Sequence, residues 1–247
     1  MDFKIMSFNI WCGGVTEERK AKVFAAIEKY SPDILGVQEA TPQWMKILKD
    51  RFGDYEAAGI GREGGDEGEY SAIFTKKDRF EQLSEGTRWL SETPDSFSFV
   101  EGSLCPRIYT YVKLRDKKTG EIFCHINTHL DHGPEEVRMK QARFLYDFIE
   151  TIEEPVSVSG DFNYEESASE VYKYFISGKL SDSKYLAKTR HAAPTFHGYK
   201  ELKNIIDYIY VTSNGFEVKE YRVVDELFDG EHPSDHNPVV ITAELKR

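Results

Sequence analysis

Carboxylate, amide and imidazole side chains stand at the ends of several apolar or aromatic runs in this chain. Phe8-Asn9-Ile10 carries Asn9, and Gly36-Val37-Gln38-Glu39 carries Glu39. Ile126-Asn127-Thr128-His129 carries Asn127 and His129, which share one strand face because side chains alternate with period two. Ser159-Gly160-Asp161-Phe162-Asn163 repeats that spacing with Asp161 and Asn163. Asp207 lies inside Ile206-Asp207-Tyr208-Ile209, and Pro233-Ser234-Asp235-His236-Asn237-Pro238 supplies an adjacent acid–imidazole pair. Glu39 with an amide oxygen such as that of Asn9 makes a hard oxygen set suited to Mg²⁺, which takes few protein ligands and keeps several waters. A phosphate oxygen can complete that shell, and the metal then stabilises charge on the phosphoryl group and the leaving oxygen. A carboxylate–imidazole pair polarises water, with Asp207 able to hold His236 in the required tautomer. His129 and Asn163 can donate hydrogen bonds to the phosphate as its charge develops. Read without any relative, these residues describe a metal-assisted hydrolase.

Strands and helices must bring these positions together. Phe3 to Ile10 reads as a strand, Glu17 to Tyr30 as a helix with Thr16 as N-cap, and Ile34 to Val37 as a short buried strand. Strand, helix, strand is a βαβ-like opening. Thr41-Pro42 starts a second helix through about Lys49. Gly61 to Gly68, with four glycines, is expected to be a mobile surface loop, followed by strands at Ser71 to Phe74 and around Phe80 to Leu83. Ile108 to Leu114 and Glu121 to Leu130 form a hairpin. Pro134 opens a helix on which Val137, Phe144 and Phe148 share a face. A strand at Val156 to Ser159, a helix near Ser167 to Ile176 and strands at Ile205 to Val211 and Val239 to Leu245 complete the chain. With no repeat and no dividing linker, residues 1–247 read as one α/β domain. Strand ends in such a protein converge on one edge, where sites are commonly built.

Six segments together resemble the endonuclease/exonuclease/phosphatase superfamily: SFNIW at 7–11, QE at 38–39, NTHL at 127–130, GDFN at 160–163, IDYI at 206–209 and SDHNP at 234–238. They occur in family order over nearly the whole chain. The resemblance implies a four-layer α/β sandwich, two packed mixed β-sheets flanked by helices, with the site at one end. It also implies roles. Glu39 is the principal ligand of Mg²⁺ (or Mn²⁺), assisted by Asn9 and Asp235. Asp161 aligns or deprotonates the attacking water beside Asn163. His236, paired with Asp207 or Asp235, is the acid/base or phosphate-contacting imidazole, and His129 is the second imidazole. Arg107 and Asn127 are expected to contact substrate. In the abasic-site repair branch an Asp follows the first-strand Asn by two residues; Trp11 stands there in this chain, which argues against repair activity. GTRWLSETP at 86–94 and CPRI at 105–108 further resemble a bacterial subgroup, in which Arg107 begins a strand and can clamp a phosphate in bidentate fashion. Trp89 reads as a packed aromatic in preference to a base-stacking platform, Asp131 and His132 as caps of the next helix in preference to the pocket rim, and Phe196-His197-Gly198 as loop packing in preference to an approach to substrate.

Composition bounds the function. The 247 residues carry 32 Lys+Arg against 43 Asp+Glu, a net charge of −11, which argues against a broad basic groove for duplex nucleic acid. It leaves room for a nucleotide, a small phosphate ester or one nucleic-acid end. No apolar run approaches the ~20 residues of a membrane span, and three cysteines without a CxxC pair argue against disulfides or a zinc knuckle. The first strand begins at Phe3, leaving no room for a signal peptide, so a cytoplasmic monomer is expected. The expected activity is hydrolysis of a phosphodiester by in-line water attack. The alternatives are a phosphomonoesterase for a sugar or inositol phosphate, and a non-catalytic binding module. The module is disfavoured because Glu39, Asp161, Asp207 and His236 are all present.

Overall fold

Thr16 and Thr41 each accept a hydrogen bond from the backbone N–H three residues on, Arg19 and Trp44, and so start two helices at the sites their sequence marks. Pro42 occupies the first turn of the second, where its missing N–H costs nothing. In the computed structural model, which describes residues 1–246, the order is β1 (Phe3–Asn9), α1 (Glu17–Tyr30), β2 (Ile34–Ala40), α2 (Pro42–Arg51), β3 (Tyr55–Ala58), β4 (Tyr70–Lys76), β5 (Phe80–Trp89), β6 (Ile108–Asp116), β7 (Ile122–His129), α3 (Glu135–Glu150), β8 (Val156–Asp161), α4 (Glu170–Ile176), β9 (Leu180–Asp182), α5 (Ser183–Leu186), β10 (Thr189–His191), β11 (Asp207–Thr212), β12 (Phe216–Val223) and β13 (Val239–Leu245).

The strands form two mixed sheets, one ordered β10-β12-β13-β1-β2-β4-β3 and the other β5-β6-β7-β8-β11-β9. Val23, Ile27, Trp44 and Leu48 of α1 and α2 pack on Met6, Phe8, Leu35 and Val37 of the first sheet. Leu145, Ile149 and Phe175 of α3 and α4 pack on Ile126, Val158 and Tyr210 of the second. Helix, sheet, sheet, helix is the four-layer architecture that the resemblance implies. Among the described residues no helix is long and apolar enough to cross a membrane.

The expected α3 face is only partly right. Val137 is buried, but the rest of the buried stripe runs through Gln141, Ala142, Leu145, Tyr146 and Ile149. Phe144 and Phe148 flank it, half-exposed, with Phe148 packing on the rings of Tyr109 and Tyr111.

What positions the site is the face shared by the two sheets. At one end it is apolar: Phe3, Phe80, Phe123 and Phe216 make a cluster of ring contacts with centroids 5.4–6.4 Å apart. Further along, residues on the facing sides of the two sheets turn polar: Ser7 on β1, Gln38 on β2, His125 and Asn127 on β7, Ser157 and Ser159 on β8, all buried. At the far end these strands finish in Asn9, His129 and Asp161, and the antiparallel β11 begins there with Asp207. On β1 and β7 one alternation thus runs from apolar core to polar layer to functional edge.

Candidate active site

Register aligns the central groups. His129 pairs with Asp161 across β7 and β8, and Asp207 pairs with Asp161 across β11 and β8, so three functional side chains stand side by side. His236 arrives from the 233–238 loop and places Nδ1 2.9 Å from Asp207 Oδ2, with Nε2 3.7 Å from Asp161 Oδ2. His129 Nε2 lies 3.3 Å from the same Asp161 oxygen.

Glu39 is delivered by an irregularity. The β2–β4 register shifts between Val37 and Ala40, and Glu39 adopts a left-handed φ of 59°. That conformation is costly for a residue with a side chain and here turns the carboxylate towards the sheet edge. Asn9 Nδ2 donates to Glu39 Oε1 and to Asp161 Oδ2, both at 2.9 Å, and the Cys12 N–H donates to Glu39 Oε2. The 10–14 loop that brings Cys12 there is held by Arg19, whose guanidinium donates to the carbonyls of Ile10, Trp11, Gly13 and Gly14.

The electrostatics follow from burial and crowding. Burial opposes the charge on Glu39, but the hydrogen bonds from Asn9 and Cys12 outweigh it and hold the carboxyl below its ordinary range. Burial and the neighbouring Asp207 raise Asp161 to about 7. Burial also raises Asp235. For His236 burial favours the neutral ring, yet Asp207, Asp161 and Asp235 overcome it and raise the imidazole to about 10. Burial, reinforced by Arg107, drives His129 the other way and keeps it neutral.

Glu39, His129, Asp161, Asp235 and His236 line an open cleft of about 690 Å³ together with Trp11, Arg62, Glu69, Arg107, His132 and Phe196, while Asp207 stands behind it, held to His236. Glu39, His129 and Asp161 each present a donor atom within 4.8 Å of the others, as do Asp161, Asp207 and His236. Carboxylates packed closely enough to raise one another's proton affinity suit a divalent cation, and oxygen donors suit a hard one. The residues fit such an ion.

Several expectations change. Asn127 does not reach the cleft: it is fully buried between the sheets, where its Nδ2 donates to the carbonyls of Val37 and Ala72 at 2.9 Å and its Oδ1 accepts from Gln38 and Ser159. The β2 irregularity leaves those carbonyls in need of donors. Gly36 sits beneath; a Cβ there would lie 2.7 Å from Asn127 Oδ1. Asn9 turns its nitrogen to the two carboxylates, and its Oδ1 accepts from Trp11 N, so it positions Glu39 and Asp161 and does not point its oxygen at an ion. Asp235 lines the cleft but belongs to neither donor cluster. Asn163 donates Nδ2 to Leu130 O and meets His129 Nε2 at 3.0 Å, which ties up its amide nitrogen.

Asp131 caps no helix. Its carboxylate accepts from Leu104 N and Gly133 N, and α3 begins at Pro134 without a side-chain cap. His132 instead lines the cleft, with Nδ1 3.0 Å from Arg107 Nη2. Phe196 also enters the cleft, its ring centroid 4.7 Å from that of His236, whereas the adjoining His197 packs against His232 as loop filling. Trp89 is packed as expected, its Nε1 donating to Arg62 O.

The 61–68 segment is hydrogen-bonded from Gly61 N to Gly65 O, Glu63 N to Glu67 O and Arg62 N to Glu69 O, so it is a built turn and not a loose loop. It brings Arg62 and Glu69 to the cleft. Neither stands out in the sequence, because both lie in a glycine- and charge-rich stretch without strand alternation.

A model of the Endonuclease/Exonuclease/phosphatase family matches residues 6–236. A crystal structure of an endonuclease/exonuclease/phosphatase from Bacteroides vulgatus superposes with TM-score 0.93 at 33% identity, covering 100% of both chains. The mannosyl-6-phosphatase of Bacteroides thetaiotaomicron VPI-5482 superposes with TM-score 0.91 at 29% identity, over 99% of this chain and 100% of that one. Nocturnin from Xenopus laevis is 26% identical over 91% of this chain and 63% of its own length. The mouse protein is 27% identical over 57% of its length, so the chain spans about three fifths of the curated relatives it matches.

Proposed function

The chain belongs to the endonuclease/exonuclease/phosphatase family, whose members hydrolyse phosphate esters, and from that premise we propose a divalent-metal-dependent phosphatase acting on the monoester of a small alcohol. The observation that carries the reading is the alignment of His129, Asp161, Asp207 and His236 on one sheet edge, facing the carboxylate of Glu39.

Glu39 would hold the ion, with Asp161 as its neighbour; Mg²⁺ or Mn²⁺ suits the oxygen donors. When bound, the ion supplies positive charge to the phosphoryl and leaving oxygens. The remaining work falls to the chain itself. Asp161, aligned by Asn9 Nδ2 and by the Asn163 N–H on Oδ1, accepts a proton from the attacking water. Its proton affinity near neutrality suits that task. His236, kept charged by Asp207, directs its Nε2–H into the cleft towards the phosphoryl oxygens. His129 stands neutral beside Asp161, its Nε2 met by the Asn163 amide, and lines the cleft that would receive the phosphate.

Arg107 supports a compact, highly charged phosphate. It is only 4% exposed, its Nη2 meets His132 Nδ1, and its Nε has no partner among the described residues. A buried guanidinium with an unmatched N–H suits an anion. The carboxylates of Glu69 and Asp235 on the same cleft disfavour further phosphates alongside the first. The likeness to the mannosyl-6-phosphatase agrees with a monoester. The phosphodiester, which the sequence reading preferred although the motifs serve both ester types, becomes the other arm of the test.

The test is hydrolysis of p-nitrophenyl phosphate and bis-p-nitrophenyl phosphate in parallel, with Mg²⁺, with Mn²⁺ and with EDTA. The expected result is metal-dependent cleavage favouring the monoester, lowered about 100-fold or more by Glu39→Gln or His236→Ala. Preference for the diester would replace the phosphatase by a phosphodiesterase, and turnover indifferent to EDTA would overturn the metal assignment.

A further inference from the structure

Glu69 is a carboxylate without a task in phosphate hydrolysis. It lines the cleft beside Arg107 and His129, where a negative charge repels the substrate's phosphate. Yet it is held firmly. Its Oε2 accepts from Arg62 Nη1 at 2.8 Å, its carbonyl accepts from Arg62 N at 3.0 Å, and Trp89 Nε1 pins Arg62 O from behind. Among the described residues only Oε2 is engaged in a hydrogen bond, leaving Oε1 open, and the side chain remains 21% exposed. Glu69 lines the same cleft as Glu39 and as Trp11 and Cys12 of the 10–14 loop.

That loop presents Trp11 at the same cleft. Trp11 takes a left-handed φ of 57°, and its ring is fixed by the Arg19 guanidinium 4.8 Å from its centroid and by the edge of Tyr199 at 5.3 Å. It is half-exposed, and Tyr199 is 47% exposed. A preorganised carboxylate acceptor and a fixed aromatic surface form a pair with a clear chemical complement. Carboxylates accept hydrogen bonds from vicinal hydroxyls, and an indole face covers the C–H side of a saturated ring.

We propose that Glu69, held by Arg62, and Trp11 form the subsite for the leaving alcohol, which is a neutral, hydroxyl-rich ring such as a hexose. The same carboxylate excludes alcohols that carry a second phosphate. The inference rests on the phosphatase reading for its phosphate end but makes a separate claim about the alcohol end.

The experiment compares kcat/KM for a hexose 6-phosphate, the corresponding hexose 1,6-bisphosphate and p-nitrophenyl phosphate, whose leaving group has no vicinal hydroxyls. Wild type is compared with Glu69→Gln, which retains an acceptor for Arg62, and Trp11→Ala, each checked for folding by circular dichroism. Glu69→Gln is expected to lower the ratio of hexose 6-phosphate to p-nitrophenyl phosphate by at least about tenfold, chiefly through KM, and to narrow discrimination against the bisphosphate. Trp11→Ala should lower the same ratio. Equal losses on all three substrates, or an unchanged ratio, would overturn the subsite. Binding supplies a readout independent of turnover. Of the three tryptophans, Trp44 and Trp89 are buried, so a fluorescence change on adding millimolar free hexose to wild type should vanish in Trp11→Ala. Hexose binding without any phosphate release would retire the phosphatase reading and keep the subsite. Phosphate release from p-nitrophenyl phosphate with no hexose preference and no hexose binding would do the reverse.

Discussion

Asn127 shows how residue type alone can mislead at a site. It lies two residues before His129 on the same strand face, and both are polar and buried. What separates them is depth. His129 stands where the sheets part, while Asn127 lies one pleat further in and supplies donors to two backbone carbonyls of the opposite sheet. Asn127→Ala would leave Val37 O and Ala72 O buried without donors, at roughly 1–3 kcal/mol for each group. Urea unfolding is expected to show a loss of about 2–4 kcal/mol, with KM for p-nitrophenyl phosphate changing little. A large rise in KM at unchanged stability would return Asn127 to the substrate. His236 makes the complementary point. Residue types left Asp207 and the adjacent Asp235 both open as its partners, and the fold takes Asp207, 29 residues away.

At the scale of elements, β7 and β8 carry a polar layer through an otherwise apolar sandwich. His125 is fully buried, with Nδ1 2.8 Å from Ser157 Oγ and Nε2 3.2 Å from Ser159 Oγ. Burial pushes its imidazole from the ordinary 6.5 down to about 3. The unfolded chain therefore binds a proton below pH 6.5 that the folded chain refuses. The contribution of His125 to stability is intact above that pH and is lost as pH falls. By pH 5 the loss from this residue amounts to about 2 kcal/mol. Denaturant titrations at pH 7 and pH 5 should show that His125→Gln, which can still bond both serines, loses about that much less than wild type between the two. An identical pH dependence in both proteins would mean that His125 is protonated in the fold. The 61–68 turn belongs to the same scale. Its glycines were legible as a break between strands, but their effect is a compact turn that carries Arg62 and Glu69 inward, and nothing in local composition distinguishes that from a solvated loop.

Across the whole molecule, the charge of −11 is not spread evenly with respect to function. Glu39, Asp161, Asp207 and Asp235 converge from four separate chain segments on one sheet edge, against His236 and Arg107. Folding brings these carboxylates together, so a cation that binds there favours the folded state by mass action. At Mg²⁺ or Mn²⁺ concentrations about 100 times the dissociation constant the gain is about 2.7 kcal/mol, enough to raise Tm by several degrees. Differential scanning calorimetry should show that rise, its reversal by EDTA and its loss in Glu39→Gln. A Tm unmoved by either ion at millimolar concentration would count against the cation site.

The sequence by itself determined the elements and the chemistry at their ends. Period-two alternation and the Thr-capped helix starts specify most of the long strands and helices locally, though β3, β9, α5, β10 and β12 carried no readable signal, and the resemblance borne by six short segments implied the four-layer sandwich. Tertiary structure alone decided which of the polar positions share a cavity. That depends on sheet register, on the β2 irregularity that swings Glu39 to the edge, and on how far the two sheets stay packed before they part. These are properties of pairing between strands distant in sequence. They separate Asn127 from His129, select Asp207 over Asp235 as the partner of His236, and bring Arg62, Glu69 and His132 to the cleft.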